Sequence, residues 1–364
     1  MTQILNPIAT TFTAEQVRTV AELILENFVN GGDFRSYHTI LTGIVYDKEV
    51  GYVGELSEVG EAHQGCSPKW TSPSAPIEKV LWQPKQWEVA ISQCAADLEN
   101  SLAVYSKRWG DNPDNLEGTD LMALVESLIT NAITEMFWRI TWFGDTDAAN
   151  LNASPAGVIT NGKNVKYVNL IDGFWKQAID QATSNALQRV TIAANSQATY
   201  ALQRSTLTPI LAWGYFEGMI LNAPLDLKAE NAANIVIYST LGLYEKAKQH
   251  LYKGDSSGYI LTASESIGFA INGMQDLMIN GFRITPMPIF DKLINIWENN
   301  GTKWNLPHRA IMATKENLQI GVPSTDAVKT LDFSYDAFTR KNLLYCSDKI
   351  DAKIARPSRI MVAY

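Results

Sequence analysis

Apolar residues recur every three or four positions in several stretches of this chain and alternate with polar ones in others. Val17, Val20, Ala21, Ile24 and Phe28 share one face of a helix entered at Thr13, where Gln16 completes a capping box. Asn30-Gly31-Gly32 stops it. Gly43 to Tyr46 and Gly51 to Gly54 read as strand pieces. The Gly-, Ser- and Pro-rich run 60–76 follows, and no helix accommodates it. Ile77 to Trp82 reads as the returning strand, ended by Pro84. These parts predict one protruding hairpin of about 40 residues, long enough to expect a function for it.

Two helices are expected next. Trp87, Ile91, Cys94, Leu98, Leu102 and Tyr105 predict the first, closed by Gly110 and Pro113. The second starts at Thr119, a good N-cap, and carries Leu121, Leu124, Val125, Leu128, Ala132 and Met136 on one face. Met122, Ile129, Ile133 and Phe137 widen that face, which predicts a central spine covered on more than one side. Turns and short strands are expected over 141–170. From 172 to about 320 the pattern alternates: helix 173–187, helix 206–222, strand 234–239, helix 240–252, strands 258–262 and 281–286, helix 289–298 and strand 309–314. That alternation predicts an α/β domain. Leu331, Phe333 and Tyr335 alternate as in a strand, and Arg359 to Tyr364 is again strand-like.

Composition narrows the function classes. The 364 residues are 46% hydrophobic and 19% charged, with ten Trp. Low charge with many aromatics suits a protein that covers its surface with partners. The net charge of −8 argues against a dedicated nucleic-acid binder but suits a wall that must not grip DNA. Cys66, Cys94 and Cys346 stand far apart, as reduced thiols do. The N-terminal residues lack a signal-peptide pattern, and no run has the roughly 18 apolar residues of a membrane span.

No motif supplies a convincing active site. Gly254-Asp255-Ser256-Ser257-Gly258 matches the serine-hydrolase elbow, but it lies between a predicted helix and a following strand, the reverse of the working order. Asp145 and Asp147, like Asp111 and Asp114, fit turns better than a calcium loop. His38, His63, His250 and His308 have no metal-ligand spacing, and His63 with Cys66 is a lone pair. No catalytic residue, metal or cofactor is expected.

The order of parts resembles the tailed-bacteriophage major capsid proteins of the Hong Kong 97 type. Val80-Leu81-Trp82-Gln83-Pro84 resembles the return of that family's extended loop. Trp142-Phe143-Gly144-Asp145 and Ile171-Asp172-Gly173-Phe174-Trp175 resemble the turns after its spine helix, and Arg309 to Gly321 resembles its late strand and turn. The resemblance implies an α+β capsid fold with five parts: an N-terminal arm at 1–42, an extended E-loop at 43–86, a P-domain with the spine helix at 87–164, an A-domain at 165–325, and a C-terminal return to the P-domain at 326–364. It further implies hexamers and pentamers that close an icosahedral shell around double-stranded DNA. It places the chain in the virion capsid, and in the host cytoplasm during assembly. The implied partners are other copies of the chain, a separate scaffolding protein, a portal, decoration proteins and nearby packaged DNA, with no membrane. A cellular, encapsulin-like compartment of the same fold is the alternative, and a serine hydrolase centred on Ser256 ranks below it.

Tyr52, Trp70 and Trp82 are the expected aromatic anchors between subunits. The outgoing hairpin carries Asp47, Glu49, Glu55, Glu58 and Glu61 against Lys48. The C-terminal segment carries Arg340, Lys341, Lys349, Lys353, Arg356 and Arg359 against Asp348 and Asp351. The acidic loop of one subunit is therefore expected on the basic tail of its neighbour. Reversing Glu55, Glu58 and Glu61 to lysine should block assembly in a sedimentation assay, and reversing Arg340, Lys341, Lys353 and Arg356 as well should partly restore it; normal assembly of both single sets contradicts the pairing.

Overall fold

The computed structural model describes residues 36–53, 77–94, 120–148, 163–253, 277–323, 331–336 and 341–364. The helix expected at 13–28, the strand expected at 258–262, the Gly254–Gly258 stretch, His63, Cys66 and Trp70 lie outside these residues.

Elements are numbered in chain order. One sheet joins β1 (Thr39–Leu41), β10 (Leu318–Gly321), β12 (Lys341–Ile354) and β11 (Leu331–Asp336), with β4 (Lys85–Cys94) also paired to β12. A six-stranded sheet runs β5 (Arg189–Val190), β13 (Met361–Ala363), β9 (Ala310–Thr314), β6 (Ile235–Ser239), β8 (Phe282–Pro286) and β7 (Leu277–Ile279). A hairpin of β2 (Lys48–Val53) and β3 (Ile77–Trp82) stands apart from both. The main helices are α1 (Asp120–Phe143), α2 (Phe174–Ser184), α3 (Tyr200–Thr206), α4 (Pro209–Asn222), α5 (Leu225–Lys228), α6 (Leu241–Lys253) and α7 (Pro288–Trp297).

The central strands β6, β9 and β13 of the six-stranded sheet are buried on both faces, which explains their nearly continuous apolar sequences. Val236, Tyr238, Ile311, Ala313 and Val362 face α1, α2 and α7. The alternate residues Ile235, Ile237, Ala310, Met312, Met361 and Ala363 face α4 and α6. The result is a layer of helices on each side of the sheet. The final strand β13 is therefore part of this sheet, antiparallel to β9 and parallel to β5.

One expectation is corrected. The segment from Trp87 is strand, not helix, through Cys94. The ten residues of β4, Lys85–Cys94, pair antiparallel with Lys341–Ile350 of β12. Trp87 and Val89 turn inward while Glu88 and Ala90 are exposed, a period of two that coexists with the i, i+4 spacing of Trp87 and Ile91. A partner strand about 250 residues away decides between the two periods, and tertiary pairing overrides local propensity. The helix expected at 206–222 is present as α4, and a separate short helix, α3, precedes it. The Thr199 and Thr208 side chains each accept a backbone N–H, from Leu202 and Leu211, and Pro209 opens the second helix, where its missing N–H costs nothing.

The C-terminal half of α1 is the spine of a large aromatic core. Ile133, Met136, Phe137, Ile140, Trp142 and Phe143 are buried there, whereas Ala132, expected on the apolar face, is exposed. Trp142 touches the rings of His38, Trp138, Phe174, Trp175, Tyr238 and Phe290, with centroids 4.5 to 6.4 Å away. Its Nε1 donates to His38 Nε2 at 2.8 Å, which places the His38 proton on Nδ1. Beyond α1 the chain crosses itself. Gly173 N donates to Gly144 O at 2.8 Å, and a Cβ on Gly144 would lie 2.3 Å from Ile171 O and 2.5 Å from Ile140 O. Gly144→Ala should therefore cost about 3 kcal/mol or more in urea unfolding, because the obstructing atoms are backbone; a loss within the range of an ordinary surface change contradicts the close crossing.

Candidate functional site

The hairpin root is the first place where predicted site residues meet. Val50 pairs with Val80, Lys48 with Trp82 and Tyr52 with Glu78, so alternate residues share one face. Val80 and Trp82 pack with Ile44, and Leu41, Val50 and Tyr52 close around them. A Cβ on Gly321 would lie 2.7 Å from the Trp82 ring, so only glycine lets β10 approach. Three backbone hydrogen bonds, Gly43 N to Pro323 O, Ile44 N to Val322 O and Val322 N to Leu41 O, extend the β1–β10 pairing into this root.

Polar groups hold the corner where β3 passes into β4. Gln83 N donates to Asp351 Oδ2 at 2.7 Å and Ala352 N to Oδ1 at 2.9 Å. Asp351 is 2% exposed, and burial raises its pKa against the pull of Lys353, 3.8 Å away, and of those N–H groups. The Tyr52 hydroxyl donates to Gln319 Oε1, and the Arg356 guanidinium lies over the Tyr52 ring at 5.7 Å. Lys349 Nζ donates to Val45 O at 3.0 Å and lies over the Tyr46 ring at 4.8 Å. Arg359 pairs with Glu230 at 2.7 Å.

These contacts redistribute the expected assembly residues. Trp82 is fully buried in its own chain, where it pins the hairpin root. Tyr52 is half-buried against its own β10 and tail. Lys353 and Arg356 serve contacts within the chain, while Lys341 opens β12 opposite Cys94 and Asp336. Trp70, Glu55, Glu58, Glu61 and Arg340 lie outside the described residues. The sequence reading missed Asp351 and Lys349 as ties of the hairpin root. Their partners are some 270 to 300 residues away in the chain, and no local pattern marks them.

A second site is a cavity of about 700 Å³ lined by Tyr200, Arg204, Gly242, Glu245, Lys246, Lys248, Asp291 and His308 among others. Tyr200 stacks on Trp304 at 3.8 Å. Asp291, on α7, accepts from Leu241 N at 2.6 Å and Gly242 N at 3.3 Å, and so caps the start of α6 from another helix. Burial pushes its pKa up to about 6 despite those bonds. His308 is 3% exposed and is clamped by Asn195, which accepts from His308 N and donates to His308 O. Burial lowers its pKa to about 4.

The acidic turn of the sequence, Asp145 and Asp147, is already served by a cation. Lys176 lies 3.7 Å from Asp145, 3.0 Å from Asp147 and 3.8 Å from Asp180, and its pKa is raised chiefly by the hydrogen bond to Asp147. Among the described residues, no three His, Cys, Asp or Glu side chains gather as metal ligands, and no helix is long and apolar enough to cross a membrane. Burial pushes the Cys346 thiol up to about 12, which keeps it protonated.

No family model and no curated protein matches the chain. Solved structures do. A chain of the satellite phage P4 procapsid, in a structure that includes the size determination (Sid) protein, aligns over 95% of this chain and 98% of its own length at TM-score 0.50 and 10% identity. The chain has the fold of that phage procapsid subunit. A Gordonia phage Cozz chain aligns over 93% and 85% at TM-score 0.49 and 10% identity. The capsid of an empty GTA particle aligns over 99% and 93% at TM-score 0.45 and 12% identity. The fold assignment rests on the P4 chain.

The cavity generates a pH prediction. The fold favours protonated Asp291, so that contribution is complete below about pH 4 and is lost as pH rises to about 6. It favours neutral His308, so that contribution is complete above about pH 6.5 and is lost as pH falls to about 4. The two oppose each other and flatten the wild-type curve. Relative to wild type, Asp291→Asn should lose stability on acidification from pH 6.5 to 4, and His308→Gln should lose it as pH rises from 4 to 6, each by about 1–3 kcal/mol in denaturant titrations. Parallel curves for all three proteins contradict the assignment.

Proposed function

We propose that this chain is the shell-building subunit, the major capsid protein, of a tailed bacteriophage. The observation that carries this reading is the procapsid fold, shared end to end over 95% of this chain and 98% of the P4 chain. Copies form hexamers and pentamers that close an icosahedral shell around double-stranded DNA. The role is structural, and no residue is assigned to catalysis.

In this reading residues 1–42 are the arm and 43–86 the extended loop. Residues 87–164 form the spine-helix domain, 165–325 the α/β domain and 326–364 the return. The hairpin supports it: among the described residues β2 and β3 pair with each other and with no strand of the body, and their root is packed. Such an element leaves its outer reach for a neighbour, and many weak contacts of this kind multiply in a closed shell. The acidic loop and Arg340 with Lys341 remain the expected charge pairing between subunits. Lys349, Arg356 and Arg359 are withdrawn from it by their contacts within the chain. A scaffolding protein, a portal and decoration proteins are the expected partners, with packaged DNA close to a wall of net negative charge.

Negative-stain electron microscopy of the purified protein, alone and co-expressed with its neighbouring open reading frames, should show rings of five and six subunits or closed shells. A uniformly monomeric or dimeric protein in both preparations overturns the reading.

A further inference from the structure

The cavity between α3, α6 and α7 has one end that calls for hydrogen-bond donors. His308 Nε2 lies 3.2 Å from Gln203 O, an atom that only accepts. Nε2 therefore carries the proton, and Nδ1 is left as a lone-pair acceptor. His308 is 3% exposed, and its Nδ1 is buried without a partner. Asp291 Oδ1 takes only a 3.3 Å bond from Gly242 N. Oδ1 and Nδ1 each lie 3.7 Å from the point that a Cβ on Gly242 would occupy, so the two acceptors flank one space beside that glycine. At neutral pH Asp291 is ionised and His308 neutral, and both atoms can only accept.

The other walls have the opposite character. Gly242, Glu245, Lys246 and Gln249 recur at helical spacing, so one face of α6 carries the cavity wall about 10 Å beyond Gly242. Lys246 and Lys248, with Arg204 from α3, bring three cations against the carboxylate of Glu245. The charges of Lys246 and Arg204 reach His308 and oppose its protonation. Tyr200 adds a flat wall, held by its stack on Trp304 at 3.8 Å. These walls select among ligand classes. A simple cation is repelled by the three cations. A simple anion leaves His308 Nδ1 unpaired and meets Asp291. An α-amino acid carries its ammonium and carboxylate on one carbon, too short to span from Gly242 to the basic side. A nucleotide answers every wall: an amino group on the base offers two hydrogens, the ring stacks, and the phosphate takes the cations. The cavity, about 700 Å³, has the size of a small-molecule site. We propose that it binds a nucleoside monophosphate whose base bears an exocyclic amino group, with that group between Asp291 and His308, the base against Tyr200 and the phosphate on Arg204 and Lys246. The site goes beyond the shell reading and does not depend on assembly.

The test is calorimetric titration of the full-length chain with cytidine monophosphate, uridine monophosphate, cytidine and inorganic phosphate. Uridine monophosphate presents a carbonyl oxygen where the cytidine form has its amino group. Cytidine monophosphate should bind saturably at one site per chain. The uridine form should bind at least about tenfold more weakly, because an acceptor would then face two acceptors. Cytidine and phosphate alone should each lose at least about tenfold as well. Gly242→Ala places a methyl group in the space between the acceptors at ordinary contact distance. It should therefore melt no lower than wild type, yet bind cytidine monophosphate at least about tenfold more weakly. Lys246→Glu should weaken the monophosphate by a similar factor and leave cytidine binding unchanged. Absence of saturable binding at millimolar nucleotide, equal affinity for the two monophosphates, or wild-type binding by Gly242→Ala overturns the site and leaves the shell reading standing.

Discussion

The architecture depends on the crossing of two turns at the end of the spine helix. Gly144 and Gly173 bring their backbones together at a separation that any side chain would prevent. That contact presents Trp142, Phe174 and Trp175 to one another, and Trp142 reaches from there to both the six-stranded sheet, through Tyr238, and α7, through Phe290. His38 reaches the same core, from the segment just before β1. Shape here is set by rigid rings around a fixed backbone contact, and such packing tolerates little change of volume. The spine helix and the α/β layers therefore share one core.

Buried polar groups then specify what the apolar core leaves open. Arg309, 1% exposed, pairs with Glu298 and donates to Leu306 O and Asn305 O, both at 2.8 Å, between the rings of Phe143 and Trp175. Gln203 is fully buried and holds Asn195 and Trp304 by their backbone carbonyls. Such groups contribute little net stability but are costly to misplace, so they fix the loop before β9 in one arrangement. The cavity beside α6 is one of the exceptions, with the indole N–H groups of Trp82, Trp175 and Trp297 and the Thr285 hydroxyl. Its walls are ordered by the same network, yet one imidazole nitrogen is left without a partner.

The hairpin follows a different logic. Its root buries one aromatic ring completely and is tied by Asp351, Lys349 and Gln319 to strands far along the chain. Its outer face carries Leu81, 47% exposed, and a weak surface pair between Lys79 and Glu49.

Sequence pattern alone determined the spine helix up to about residue 140, the hairpin strand at Ile77–Trp82, the alternation of strands and helices beyond Asp172 and the strand at Leu331, whereas residues 141–143, expected in a turn, continue the helix. Apolar spacing and caps are local, and local spacing is enough to define such elements. The two glycine turns could be quoted from the sequence, but only the fold shows that they touch. Tertiary structure alone decided that Trp87 lies in a strand, because β12 supplies hydrogen bonds that outweigh a helical spacing. It also decided that Trp82 faces inward, that several basic tail residues are engaged at home, and that Asp291 and His308 share a cavity. Each of these depends on contacts between residues distant in the chain, and a linear pattern carries no record of which distant backbone or charge will arrive.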